Sequence, residues 1–173
     1  MAPLDPPHER AGALTAPSLE SALPPGARLL LDTSALIAYL GNAEPTTPVV
    51  SRIVEDLVGT GRNAAVVSAV SAAELLVGPL RAAAAVAEAR VLEFLRGYPN
   101  MEVVPVDLAA AQEAARLRAA HRFAMADALV VASGIVRGAT VLVTADAAWP
   151  TLLALRRPSV SVCLLRSFVV RGG

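Results

Sequence analysis

Five short runs of almost purely apolar residues set the terms on which this chain can fold: RLLLD (28–32), AAVVS (64–68), MEVVPV (101–106), ATVLVTAD (139–146) and the stretch 160–165. A strand that is apolar throughout, instead of alternating, is buried on both faces, as in a parallel sheet covered by helices. Between these runs lie segments with helical character at 33–40, 48–60, 69–77, 80–96, 107–121 and 125–137. Gly41-Asn42, Gly97 and Gly138 supply stops, Gly78-Pro79 reads as a break, and Pro48 suits a first helical turn. Strand and helix in alternation imply a three-layer α/β/α domain with a central, mostly parallel sheet of about five strands. Residues 1–27 hold six prolines and no sustained apolar period, so they are expected to be a disordered or weakly ordered tail ahead of one domain at 28–173.

Composition then removes whole classes of chemistry. All fifteen basic residues are arginine, so there is no lysine for a P-loop, a Schiff base or a general base. The single cysteine, Cys163, excludes a disulfide framework and a thiolate zinc cluster. Of the two histidines, His8 lies in the proline-rich tail, which leaves His121 alone and excludes a multi-histidine metal site. Net charge is zero and argues for neither nucleic acid nor membrane. The stretch 123–136 is apolar but short, and it contains Asp127, so it reads as a buried helix and not a membrane span. Asp5, Glu9 and Glu20 interrupt any signal-peptide centre, and a cytoplasmic protein is expected.

Two motifs fail their context. Gly59-Thr60-Gly61-Arg62-Asn63-Ala64 matches a dinucleotide fingerprint, but it follows a helix and enters a strand, the reverse of what phosphate binding requires. LLLDTSAL hints at an aspartyl-phosphate phosphatase, yet Ser34 stands where such enzymes carry a second Asp.

Carboxylates are what remain. Of six Asp and nine Glu, four sit in apolar surroundings: Asp32, Glu74, Asp127 and Asp146. Asp32 and Asp146 each follow a strand, and Glu74 and Asp127 lie in early turns of helices. Ligands of open α/β sheets bind beyond the carboxyl ends of the strands, where all four could meet. Two carboxylates about 5 Å apart repel by roughly 3 kcal/mol at an effective dielectric of 20. Such a cluster demands protonation or a cation, and an all-oxygen set favours Mg²⁺ or Mn²⁺. Each acid also has a plain structural reading. Asp32 and Asp146 could cap helices, Ser71-Ala72-Ala73-Glu74 fits a capping box, and Asp127 could answer a helix dipole. Asp107 is read as a cap, and Phe123 and Trp149 as core residues.

With these residues in place, the chain resembles the PIN-domain ribonucleases, in particular the VapC-type toxins of bacterial toxin–antitoxin pairs. LLLDTSALIAYL, VVSAVSAAELLVG and RLRAAHRFAMADALVVASGIVRGATVLVTAD carry the likeness over residues 29–150. The chain departs from the family pattern at Ala126, where Pro is common, and at Ala145, where Asn is common. The resemblance implies an endoribonuclease in which Asp32, Glu74, Asp127 and Asp146 bind Mg²⁺ or Mn²⁺, with Ser34 and Thr144 as auxiliary polar residues. It also implies an RNA substrate (tRNA, rRNA or mRNA), a cognate antitoxin and a homodimer. Arg118, Arg122 and Arg137 flank the Asp127 helix and are the candidate RNA contacts. The competing expectations are a non-catalytic PIN-like scaffold or RNA-binding protein, and a phosphatase or DNA nuclease using the same acids.

Overall fold

Leu29 and Leu31 point to one face of a sheet and Leu30 to the other, and all three are buried. A computed structural model describes residues 18–120, 123–149 and 160–169. Its sheet contains β1 (Arg28–Leu31), β2 (Ala64–Ser68), β3 (Met101–Val104), β4 (Val141–Thr144) and β5 (Ser161–Leu164), ordered β3-β2-β1-β4-β5. Every neighbouring pair is parallel. The expected three-layer α/β/α arrangement is therefore present, and its five strands coincide with the five apolar runs, some trimmed at their ends.

Among the described residues seven α-helices accompany the sheet: α1 (Leu19–Ala22), α2 (Thr33–Gly41), α3 (Thr47–Ser51), α4 (Ala69–Arg81), α5 (Ala85–Gly97), α6 (Leu108–Ala120) and α7 (Met125–Val136). Helix α3 runs on into a wider π-helical stretch, Arg52–Val58. Helices α2 to α5 cover one face around Leu29, Leu31, Val67 and Val143; α6 and α7 cover the other around Leu30, Val66 and Leu142. Phe123 and Trp149 are buried, with ring centroids 6.2 Å apart, in the core role expected of them. Among the described residues no helix is long and apolar enough to cross a membrane.

Two expectations need correcting. Helix α4 does not break at Gly78-Pro79 but continues through it to Arg81. Pro79 lies in the last turn of α4, and the glycine before it has no Cβ to meet the proline ring. The break comes at Ala82–Ala84, where Ala83 takes a left-handed backbone (φ 48°), so the expected helix 80–96 begins only at Ala85. An alanine-rich stretch carries no punctuation that would reveal this turn.

The second concerns the leader. Its residues 1–17 lie outside the described residues, but 18–27 pack onto the domain. Leu19 and Leu23 are in the core, and the buried Asn63 donates from Nδ2 to the carbonyls of Pro24 and Ala27, both at 2.8 Å. Two leucines among prolines form no period that sequence reading could detect.

Candidate active site

The register of the sheet builds the site. Leu31 pairs with Val143, so Asp32 and Thr144 emerge together at the carboxyl edge, and the Asp32 amide donates to the Val143 carbonyl (3.0 Å). From β1 the chain crosses to β2 on one side, while β4 lies on the other. The gap between β1 and β4 is thus the topological switch point at which open sheets form a crevice.

Asp32 occupies the N-cap position of α2, but its side chain makes no capping hydrogen bond. Its Oδ2 instead accepts from Ser34 Oγ (2.7 Å) and from Thr144 Oγ1 (2.9 Å). Each hydroxyl also accepts a backbone N–H, Ser34 from Ala145 and Thr144 from Asp146, both at 3.0 Å. A hydroxyl carries a single proton. With both protons committed to Asp32, the 3.0 Å approach of Ser34 Oγ to Thr144 Oγ1 is a contact between two acceptors sharing one carboxylate oxygen. This interlock ties the start of α2 to the loop after β4 and fixes a buried carboxylate.

Glu74 is not part of a capping box. Ser68 caps α4, with its Oγ accepting from Val70 N at 3.2 Å, so Ser71 and Glu74 sit inside the helix. Ser71 is fully buried and its Oγ has no hydrogen-bond partner among the described residues. The exposed Glu74 accepts from Thr33 Oγ1 at 2.5 Å, linking α4 to the first residue of α2. Thr33 is the polar residue that sequence reading missed, because a threonine opening a helix carries no distinguishing signal.

Asp127 is the third residue of α7, behind Ala124, whose side chain can cap nothing. Burial, followed by the charges of Asp32, Glu74 and Asp146, pushes its carboxyl above the ordinary value. The other three expected acids therefore all lie within electrostatic reach of Asp127. Asp146 is exposed, and its Oδ1 accepts from Ala148 N (2.9 Å), so the capping alternative holds for one of its oxygens.

The acids do not form a closed cage. Among the described residues no three His, Cys, Asp or Glu side chains stand close enough to grip one ion as they are arranged. Asp32, Glu74 and Asp146 are committed to local hydrogen bonds, and their like charges repel. None of the four takes part in an ion pair among the described residues, although Glu20, Glu102, Asp107 and Glu113 all do. The donors around the site acids are hydroxyls and amides, which orient a carboxylate without cancelling its charge. That all-oxygen, uncompensated donor set suits a hard divalent cation.

The candidate RNA contacts fare unequally. Arg118 donates from Nε to the Phe123 carbonyl (3.2 Å), bracing the α6–α7 connection. Arg137 follows the last residue of α7, roughly 15 Å along the axis from Asp127 at 1.5 Å per residue. It pairs with Asp107 (3.6 Å), and its carbonyl accepts from Arg28 at the amino end of β1, so it belongs to the opposite edge of the sheet. Sequence proximity to the Asp127 helix concealed that the two ends of a helix face different edges. Arg122 lies outside the described residues, as does His121. Asp107 is the expected cap, its Oδ1 accepting from Ala110 N at 2.9 Å.

The family model described as PIN domain matches residues 29–152. No curated protein matches the chain significantly. Among solved structures, VapBC2 from Rickettsia felis bound to a DNA fragment from its promoter is similar, with a TM-score of 0.61, 15 % identity, and coverage of 79 % of this chain and 98 % of that one. Mycobacterium tuberculosis VapC20, a sarcin–ricin-loop-cleaving toxin, has a TM-score of 0.59, 15 % identity, and coverage of 72 % and 94 %. VapBC-5 from Mycobacterium tuberculosis has a TM-score of 0.51, 29 % identity, and coverage of 82 % and 99 %.

Proposed function

The chain belongs to the PIN-domain family, and from that premise we propose that it is a divalent-metal-dependent endoribonuclease, the toxin of a cytoplasmic toxin–antitoxin pair. The observation that carries this reading is the crevice itself: Asp127 within electrostatic reach of Asp32, Glu74 and Asp146, those three held by neutral donors, and none of the four with an ionic partner among the described residues.

Asp32, Asp127 and Asp146, with Glu74, would hold Mg²⁺ or Mn²⁺. Such an ion, when bound, supplies a Lewis acid that lowers the pKa of water and offsets phosphate charge. Ser34 and Thr144 keep Asp32 oriented and Thr33 keeps Glu74 oriented, so the chain's own part is positioning. Water attacks phosphorus in line and the 3′ oxygen leaves, giving a 5′-phosphate and a 3′-hydroxyl. This route uses no histidine, in keeping with a chain whose histidines are His8 and His121.

The related toxin–antitoxin complexes support a protein partner, and the surface offers a place for one. Between α2, α4 and α5 runs an apolar groove of about 670 Å³, lined by Ile37, Leu40, Leu75, Val86 and Val91 and bordered by Glu74. A bound antitoxin there would lie against the catalytic crevice, and a homodimer would use other apolar surface. The spacing of the acids favours, as a second reading, a PIN-like protein that binds RNA without cutting it.

Purified protein is incubated with tRNA, rRNA, single-stranded DNA and a small phosphate ester, with Mg²⁺ or Mn²⁺ and with or without chelator, beside Asp32→Asn. The expected result is RNA cleavage lost on chelation and in the variant. Binding of RNA without cleavage selects the second reading, and cleavage unchanged in Asp32→Asn overturns the mechanism.

A further inference from the structure

We propose that Thr33 is a positioning residue for Glu74: by holding one carboxylate oxygen it sets the direction in which the other faces the crevice. The inference rests on the nuclease reading above and deepens it.

Three observations carry it. The first is the bond, Thr33 Oγ1 to Glu74 Oε2 at 2.5 Å, between residues 41 positions apart on different helices. A threonine inside a helix commonly turns its hydroxyl back to the carbonyl three or four residues earlier. Thr33 is the first residue of α2, so no earlier turn of its own helix competes for the proton.

The second is the character of the acceptor. Glu74 is solvent-exposed, and a free glutamate at such a site spreads over many rotamers. A single bond to a fixed helix terminus selects among them. The donor is neutral, so the whole negative charge of Glu74 remains available, whereas an arginine in the same place would cancel it.

The third is repetition within the site. Asp32, Thr33 and Ser34 are consecutive, and the two hydroxyls divide the acids between them, Ser34 serving Asp32 and Thr33 serving Glu74. A single helix start thus orients carboxylates contributed by two elements, α2 and α4, and couples their positions.

The test compares the full chain with Thr33→Val, Thr33→Ser, Glu74→Gln and the Thr33→Val/Glu74→Gln double variant. Two properties are read independently: Mn²⁺ affinity by calorimetry, and RNA cleavage against Mn²⁺ concentration. Thermal melts confirm that each variant folds. Thr33→Val is expected to weaken Mn²⁺ binding about tenfold, the lower end of what losing an outer partner of a metal ligand costs, and to raise the half-saturating Mn²⁺ for cleavage in step. Thr33→Ser, which keeps the hydroxyl, is expected to restore both. The double variant is expected to match Glu74→Gln alone, because a positioning residue has no effect once the group it positions is altered. Wild-type affinity in folded Thr33→Val overturns the inference and leaves the nuclease reading intact, as does a Thr33→Ser variant as impaired as Thr33→Val. A wild-type chain that neither binds Mn²⁺ nor cuts RNA overturns the nuclease reading and this inference with it.

Discussion

Thr144→Val tests whether the two-hydroxyl cradle is what holds Asp32. The swap is nearly isosteric at a fully buried residue, so it opens no cavity and its effect is that of the lost hydroxyl. Two bonds disappear: the 2.9 Å donation to Asp32 Oδ2 and the 3.0 Å acceptance from Asp146 N–H. Asp146 is exposed, so water can satisfy its amide and that loss is small. Asp32 is only 7 % exposed, and a hydrogen bond to a charged group contributes about 1.5–3 kcal/mol. The expected destabilisation is therefore about 2–3 kcal/mol, or a melting point lower by about 4–12 °C for a chain of this size. The assay is thermal and urea unfolding of the wild type, Thr144→Val, Asp32→Asn and the double variant. With the charge removed at position 32 the same hydroxyl bond is worth about 1 kcal/mol, so the cycle should show a coupling of at least about 1 kcal/mol. A melting point unchanged within a degree, or a Thr144→Val cost that is equal in the Asp32→Asn background, would refute the cradle.

Other elements of the fold make their own predictions. A Cβ on Gly134 would fall 2.7 Å from Leu30 Cδ2 and 3.1 Å from Leu30 Cγ, with Leu30 itself buried. Overpacking of about 1–3 kcal/mol outweighs the roughly 1 kcal/mol that alanine gains in a helix, so Gly134→Ala should destabilise by about 1 kcal/mol in urea unfolding and become neutral or stabilising beside Leu30→Val. Leu23→Ala should cost about 2–4 kcal/mol in the same assay, because Leu23 is fully buried although it precedes the first strand. Arg137→Ala should leave RNA cleavage within about twofold of wild type, since its ion pair with Asp107 lies at the opposite edge of the sheet and exposed pairs contribute little.

What sequence made legible follows from where apolar residues are forced. A strand covered on both faces cannot hide its identity, and β1, β2 and β4 were therefore visible as runs; the edge strands β3 and β5 are covered only in part and were read from their shorter apolar stretches. The proposed site acids stood out for a complementary reason, their apolar sequence neighbours, although of the four only Asp32 is buried and Glu74 and Asp146 are exposed. Hydroxyls carry no such anomaly. Ser71 suggested a capping box and proved a buried residue whose hydroxyl has no partner among the described residues, while Thr33 suggested nothing and proved to hold Glu74. The ends of helices were equally silent where alanine surrounds them, as at Ala82–Ala84.

This asymmetry has a physical origin that bears on the chemistry. Placing a carboxylate among apolar neighbours leaves a mark in the sequence because the types contrast, and for the buried Asp32 because charge is expensive to bury. Orienting that charge does not, because a serine or threonine is tolerated at almost any helix start whether or not its hydroxyl has an acceptor. Two chains could therefore share Asp32, Glu74, Asp127 and Asp146 in the same order and spacing and still differ in how firmly those acids are held. Firmness matters here: the four side chains influence Asp127 from a distance yet do not close into a cage, so the work of drawing them together depends on what restrains each one. In this chain Asp32 is restrained at one oxygen by two hydroxyls and Glu74 by one, while Asp127 accepts no hydrogen bond among the described residues and is left to respond to its neighbours' charge. On the proposed reading, Asp127 is thus the acid with no hydrogen bond to give up on meeting a cation, and Asp32 the one held by the most.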